Sequence, residues 1–169
     1  MLQAAHRKLH QGSPFSRPNF QPPSRDLPGL PEATHGEGEE EEEEEEESWL
    51  RSSQRAYLAL SRYLGLVLEA QRDLNPSQAS LLDELAFWAT NTRGLAADMS
   101  RLLSGLGQRA PPEAQPSPAP LPAMAASNWE KKLLGLEICA RCDRWLQGSR
   151  KKFARLLLKY SLCPRPARC

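Results

Sequence analysis

Apolar residues recur between Leu81 and Leu106 in alternating steps of four and three residues. This spacing is typical of an α-helix with one apolar face, and such a face has to pack against other helices. We predict a helix over about residues 77–106, capped at its start by Asn75 and stopped by Gly105 and Gly107. The predicted core face of this helix contains Leu81, Leu85, Trp88, Thr92, Leu95, Met99, Leu102 and Leu106.

Two more long helices are predicted on either side of it. The first covers about residues 49–74, and the second covers about residues 128–162, where no proline interrupts the chain. Ser127 and Glu130 form a capping box at the start of the last helix. Gly148 and Ser149 are the expected kink. The core face predicted for residues 49–74 contains Leu50, Tyr57, Leu60, Leu64, Val67, Gln71 and Leu74.

The lengths of the connections indicate how these helices are arranged. A tight turn joins the first two long helices, whereas a proline-rich linker over 108–126 precedes the last one. Together with a long crossover near the N-terminus, this favours an all-α, up-up-down-down four-helix bundle whose first helix is truncated. No segment carries a strand signal. The predicted divisions are a first-helix remnant (1–10), a proline-rich and polyglutamate crossover (11–48), the helical bundle domain (49–162) and a tail (163–169).

Charge is divided unevenly along the chain. Residues 1–47 carry a formal charge of −8, which includes nine consecutive glutamates over Glu39–Glu47, and residues 129–169 carry +8. The glutamate run predicts either a solvated low-complexity loop or an acidic docking tract. The basic segment 150–160 fits a last core helix with cations near its C-terminus, or a helix that contacts acidic membrane, a calmodulin-like groove or sulfated glycans. No stacking platform or recognition helix supports nucleic-acid binding.

Several functional classes lack their sequence signatures. There is no glycine-rich phosphate loop, no cluster of histidines with carboxylates and no nucleophile motif, so we expect neither an enzyme nor a cofactor. No apolar run is long enough to span a bilayer, so we expect no membrane insertion. No signal-peptide apolar region is visible either. That absence fits either a chain of the cytosol or nucleus, or one that lacks its true N-terminus.

Cys139 and Cys142 have the spacing of some zinc and thiol–disulfide sites. A structural zinc site needs four ligands, usually presented by turns, and a redox pair needs a helix N-terminus. This pair instead lies about three turns inside the predicted last helix. We expect two buried core thiols. A disulfide that involves Cys163 or Cys169 is the main alternative.

Five segments carry a resemblance to a known family. They are "HQGSPFSRPNF" (10–20), "SQRAYLALSRYLGLVLEAQRDLNP" (53–76), "MSRLLSGLG" (99–107), "WEKKLLGLEICARCDRWL" (129–146) and "LLLKYS" (156–161). Together they resemble the cardiotrophin and neuropoietin branch of the interleukin-6-type four-helix cytokines. The last segment resembles the neuropoietin, or cardiotrophin-2-like, side of that branch.

The resemblance implies a secreted cytokine that brings receptor chains together. The implied partners are glycoprotein 130, a leukaemia-inhibitory-factor-type receptor and a ciliary-neurotrophic-factor-type receptor. In this family a Phe-x-x-Lys at the start of the last helix engages the leukaemia-inhibitory-factor-type receptor, and the matching positions are Trp129 and Lys132. Exposed positions of the helix over 77–106 are expected to contribute to the shared-receptor site.

The sequence departs from the family pattern in its first helix and in its glutamate run. A chain that begins near the end of the first helix leaves apolar faces of the other helices to be covered. The alternative to a cytokine is an intracellular helical adaptor or a non-functional truncated variant, in which the acidic arm and the basic helix pair within the chain or with a partner.

Overall fold

The computed structural model describes residues 14, 15, 17, 19–22, 25, 27, 29, 42–105 and 127–162. Within these residues the chain forms three α-helices and no β-strand. They are α1 (Glu42–Leu74), α2 (Ala79–Gly105) and α3 (Asn128–Leu162). The protein is therefore all-α, as predicted. The predicted first-helix remnant over 1–10, the linker over 108–126 and the tail over 163–169 lie outside the described residues.

Helix α1 begins inside the glutamate run, earlier than the sequence pattern indicated. The expected start was residue 49, whereas the helix starts at Glu42 and so includes the last six glutamates of the run. Glutamate has a good helix propensity, and negative charge near a helix N-terminus is favoured by the helix dipole. The apolar pattern begins only at Trp49, which is why it did not reveal these first turns.

A tight turn over Asn75–Gln78 connects α1 and α2. Helix α2 starts at Ala79, later than the predicted position 77, and the backbone carbonyl of Gln78 accepts from the amides of Leu81 and Leu82. The Asn75 side chain does not cap α2. It donates instead to Gln71 Oε1 at 2.7 Å, which ties the turn back to the end of α1.

Helix α1 runs antiparallel to both of the other helices. Gln54 of α1 donates to Ser100 near the end of α2. Tyr57 lies 6.4 Å from Trp145 of α3 between ring centroids, and Trp49, earlier on α1, lies 5.2 Å from Phe153, later on α3. Helices α2 and α3 therefore run in the same direction, as an up-up-down-down bundle requires of its last two helices. Most interhelical packing is between α1 and α2, and α1 also packs on α3.

One apolar core lies between the three helices. Helix α1 supplies its centre, where Leu60, Leu64 and Val67 are fully buried. On α2 the predicted core face is correct as far as Met99, but the next buried residue is Leu103, and Leu102 is 45% exposed. Alternating steps of four and three average 3.5 residues, whereas an α-helix has 3.6 residues per turn, so the true core stripe drifts away from the predicted one.

Candidate functional site

The first turn of α3 is fixed by the predicted capping box. The amide of Glu130 donates to Ser127 Oγ at 3.1 Å, and that hydroxyl donates to the Glu130 carboxylate, also at 3.1 Å. The Ser127 carbonyl accepts the first bond of the helix from Lys131. The Ser127 hydroxyl thereby satisfies the Glu130 amide, one of the backbone donors that a helix start leaves unpaired. The direction of α3, and of the side chains in its first turn, is thereby defined.

Trp129 lies in this first turn with its ring half in solvent. It is 49% exposed, and its ring centroid lies 5.2 Å from that of Phe15 in an edge-to-face arrangement. Phe15 itself is 4% exposed, contacts Phe20 at 5.7 Å, and belongs to an apolar cluster with Leu133 and Leu136 of α3. One edge of the Trp129 ring therefore packs against the buried Phe15 ring, and the other edge is available to a partner.

Lys132 follows Trp129 by three residues and is half-buried. Residues three apart on a helix are neighbours on its surface. The structure thus brings the two sequence-predicted site residues together at the start of α3, as an aromatic anchor next to a cation. This combination suits recognition of a protein surface that presents an apolar pocket beside an acidic group.

The segment that carries Phe15 is attached to α3 at a second point. Arg141 donates through Nη2 to the backbone carbonyl of Arg25 at 2.6 Å and through Nε to Glu137 Oε1 at 2.7 Å. The side chains of Arg141 and Glu137 are only 14% and 6% exposed. Beyond this contact Leu27 enters the main core at 2% exposure. The crossover segment therefore follows α3 from Trp129 to Arg141 and supports the site from below.

Sequence reasoning did not identify the residues that support the site. Phe15 and Phe20 lie in a proline-rich stretch without helical or strand periodicity, and Arg141 reads as one more surface cation. The available signal was the presence of two phenylalanines in an otherwise polar connection, since aromatic side chains are seldom left wholly in solvent. Residues near Phe20 also line a shallow open concavity, formed by Arg17, Asn19, Phe20 and Gln21.

Cys139 and Cys142 are core residues, as predicted. Both are 0% exposed, both are free thiols, and both are part of the main apolar cluster. Burial raises the pKa of the Cys142 thiol to about 12, and neighbouring Asp143 adds to this effect. Burial also raises the pKa of Cys139 well above its ordinary value. Since the thiolate is the nucleophile and the metal ligand, neither group is prepared for redox or zinc chemistry. Cys163 and Cys169 lie outside the described residues.

Two further findings concern the described part of the chain. Among the described residues, no three cysteine, aspartate or glutamate side chains lie close enough together to hold a metal ion. None of its helices combines the length and the apolar character that a membrane span requires.

Comparison with known proteins agrees with this architecture. Residues 5–162 match the family model described as plethodontid receptivity factor PRF. Cardiotrophin-2 of Pan troglodytes is 36% identical over 152 residues, which cover 90% of this chain and 73% of the relative. Cardiotrophin-2 of Mus musculus is 34% identical with the same coverage. Cardiotrophin-1 of Homo sapiens is 32% identical over 87% of this chain and 72% of the relative.

No solved structure matches the chain. The family match nevertheless covers all three described helices and the crossover segment beneath Trp129. The chain belongs to the family of the plethodontid receptivity factor and the cardiotrophins, and it is a cytokine of the interleukin-6 type rather than an enzyme.

Proposed function

We propose that this cytokine is secreted and acts by bringing together receptor chains of the glycoprotein-130 class, among them leukaemia-inhibitory-factor-type and ciliary-neurotrophic-factor-type receptors. Family membership supports receptor binding in general. The observation that carries the specific proposal is the half-exposed ring of Trp129, which rests on buried Phe15 at the capped start of α3. A rigid aromatic anchor of this kind is the residue type that dominates binding energy at protein interfaces.

In this proposal Trp129 and Lys132 contact the leukaemia-inhibitory-factor-type receptor. The indole fills an apolar pocket, and the ammonium group pairs with a carboxylate of the receptor. Because Phe15 already orders the tryptophan ring, little conformational entropy is lost when the receptor binds. Tryptophan here occupies the position of the family's phenylalanine, and it offers the receptor a larger flat face.

The shared receptor is proposed to contact α2. Phe87 is 59% exposed and packs edge-to-face on Trp88 at 5.6 Å, and Leu102 on the same helix is 45% exposed. Exposed large apolar side chains of this size are suitable anchors for a partner protein. A sulfated-glycan contact is proposed as well, through the basic C-terminal half of α3.

The assignment of Trp129 and Lys132 is tested by binding to an immobilised leukaemia-inhibitory-factor-type receptor ectodomain. Lys132→Ala should weaken binding by more than about 1 kcal/mol, which is at least about fivefold, and Trp129→Ala should weaken it by about tenfold or more. Circular dichroism should show unchanged helicity, since neither side chain belongs to the core.

Lys131→Ala is the matched control. Lys131 is also half-buried and adjacent in sequence, but the helical turn points it about 100° away from Lys132. It should bind within about twofold of wild type. Equal affinity of wild type and Lys132→Ala, or equal losses in Lys131→Ala and Lys132→Ala, would refute the assignment of Lys132.

A further inference from the structure

The buried ion pair of Arg141 and Glu137 has no part in the receptor contacts proposed above. The two side chains are 14% and 6% exposed, and Nε of Arg141 donates to Glu137 Oε1 at 2.7 Å. A second nitrogen of the same guanidinium, Nη2, donates to the backbone carbonyl of Arg25 at 2.6 Å. A planar guanidinium can serve both acceptors at once, because its donors point in fixed directions. Glu137 therefore holds the orientation in which Arg141 reaches the crossover segment.

Described residues of the crossover segment contact α3 at two levels. Phe15 packs against Trp129 at one level, and the Arg25 carbonyl accepts from Arg141 at the other. Trp129 and Arg141 are twelve residues apart, which corresponds to about 18 Å along a helix. Arg25 follows Phe15 by ten residues, and an extended chain of that length spans roughly 33 Å. The segment is therefore longer than the path it follows, so its length alone does not determine where Phe15 lies.

Two consecutive turns tie Phe15 to Phe20. The amide of Arg17 donates to the Pro14 carbonyl at 3.0 Å, and the amide of Phe20 donates to the Arg17 carbonyl at 3.1 Å. The two phenylalanine rings belong to an apolar cluster that is separate from the main core. A small cluster of this kind can open at a lower free energy than the whole bundle. The attachments of the rest of the segment therefore affect how much of the time Phe15 contacts Trp129.

The bond to Arg141 is the attachment nearer to these turns. Leu27, which enters the main core at 2% exposure, lies two residues beyond Arg25 on the side away from Phe15. Leu27 fixes the segment through one apolar side chain, whereas the Arg141 bond fixes the backbone itself. Hydrogen bonds to charged groups are also stronger than neutral ones. Loss of this bond would release the backbone at Arg25 from α3 and lengthen the stretch between Phe15 and the next anchor.

We propose that Arg141 is a positioning residue for the receptor-binding ring of Trp129. Its bond to the crossover backbone keeps Phe15 in contact with that ring, and Glu137 orients the guanidinium for this bond. The buried ion pair thus acts on a side chain about 18 Å away along α3 without contacting the receptor. This inference rests on the receptor contact proposed for Trp129 and adds to it the residues that keep the ring ordered.

The first test follows the Trp129 ring of the full chain without any receptor. The test variant is Glu137→Leu/Arg141→Met, which removes the bond to the crossover and leaves no unpaired carboxylate at position 137. Fluorine NMR of protein labelled with fluorotryptophan reports the surroundings of each indole, and Trp129→Phe assigns the signal. In the test variant this signal should move in the same direction as in Phe15→Ala. A signal that stays in place in the folded test variant would overturn the proposal, whether or not Phe15→Ala moves it.

Arg141→Lys is the second variant, in case the double replacement does not fold. It keeps a cation beside Glu137 but lacks the second guanidinium nitrogen, which reaches the Arg25 carbonyl. It should move the Trp129 signal in the same direction by a smaller amount. If the double variant does not fold, an unmoved signal in Arg141→Lys would overturn the proposal in its place.

Arg144→Met is the matched control. Arg144 lies three residues after Arg141 on α3, approaches the same Glu137 carboxylate at 4.0 Å, and has a side chain that is 62% exposed. The variant removes the same charge from the same helix and leaves the bond to Arg25 intact. The Trp129 signal should keep its wild-type position. A movement as large as that of the test variant would overturn the proposal, since loss of positive charge alone would explain both.

The second test separates positioning from a general structural effect. Binding to the immobilised leukaemia-inhibitory-factor-type receptor ectodomain is measured for Glu137→Leu/Arg141→Met in the wild-type chain and in Trp129→Ala. In the wild-type chain the loss should be about fivefold, smaller than that of Trp129→Ala, because only the order of the ring is lost. In Trp129→Ala the same replacements should change the remaining affinity by less than about twofold. Equal losses in both chains would overturn the proposal, since the effect would not pass through Trp129.

The two tests distinguish failure of this inference from failure of the receptor proposal. If the fluorine signal moves but Trp129→Ala binds the receptor as tightly as wild type, the receptor contact of Trp129 is refuted and the positioning of its ring by Arg141 is supported. If Trp129→Ala weakens binding but the signal does not move in the test variant, the receptor contact is supported and the positioning role is refuted.

Discussion

Replacing Phe15 by alanine tests whether the crossover segment is part of the folded core. Phe15 is 4% exposed, and its ring contacts those of Phe20 and Trp129 at 5.7 and 5.2 Å. Truncation of a buried phenylalanine to alanine costs about 3–5 kcal/mol. The cluster around Phe15 is small and borders solvent on the Trp129 side, so we expect the lower end, about 3 kcal/mol.

The assay is urea unfolding followed by far-ultraviolet circular dichroism, with the free energy extrapolated to water. Helicity before unfolding should be unchanged, because Phe15 lies outside the helices. Phe20→Ala is the control: Phe20 is only half-buried and belongs to the periphery of the same cluster, so it should cost about 1 kcal/mol.

A loss of unfolding free energy below about 1 kcal/mol for Phe15→Ala, or a loss equal to that of Phe20→Ala, would refute the reasoning. Either result would mean that the crossover segment detaches from α3 before the bundle unfolds. The contact between Phe15 and Trp129 would then be lost for part of the time in the native state. The rigidity argument for the receptor site would fail with it.

Two other predictions concern buried charge and alkaline pH. Arg141→Met should destabilise the protein by about 3 kcal/mol, because among the described residues it leaves the buried Glu137 carboxylate with only Arg144, at 4.0 Å. The double variant Glu137→Leu/Arg141→Met should lose less unfolding free energy than Arg141→Met alone. Arg101→Met, which breaks an exposed pair with Asp98, should change the unfolding free energy by no more than about 0.5 kcal/mol. Equal losses in Arg141→Met and in the double variant would contradict the argument. Burial raises the pKa of Cys142 from 9.0 to about 12 and that of Tyr57 from 10.0 to about 12. The unfolded chain therefore loses these protons first, so the free energy of unfolding should fall as pH rises towards 12, from about pH 9 for Cys142 and from about pH 10 for Tyr57. The expected fall is about 1.4 kcal/mol per pH unit for each group. Urea unfolding across this range should show a shallower fall in Cys142→Ala, and an unchanged slope would show that Cys142 does not contribute.

Local patterns in the sequence were sufficient for part of the fold. The period of apolar residues located α2 and its core as far as Met99, and the capping box at Ser127 fixed the start of α3. Both signals involve residues a few positions apart, whose geometry is set by the helix itself. The position of Cys139 and Cys142 well inside a helix likewise indicated burial before any packing was known.

The remaining features depend on contacts between distant parts of the chain. Trp129 and Lys132 were located through a family resemblance, but the phenylalanine beneath Trp129 comes from a segment more than one hundred residues earlier in the sequence. The Arg141–Arg25 bond joins residues separated by 116 positions. No periodicity encodes such a pairing. The early start of α1 was missed because glutamates carry helix propensity without any apolar signal.

The bond from Arg141 to the crossover has a consequence for sequence variation. Its acceptor is the backbone carbonyl of Arg25, which every amino acid at that position would supply equally well. Phe15 fixes one end of the segment by its side chain, and Leu27 enters the core shortly after the other end. An insertion or deletion between Phe15 and Arg25 would move the carbonyl out of reach, whereas substitutions at 25 would not. The segment is therefore constrained in its length more than in its residue identities.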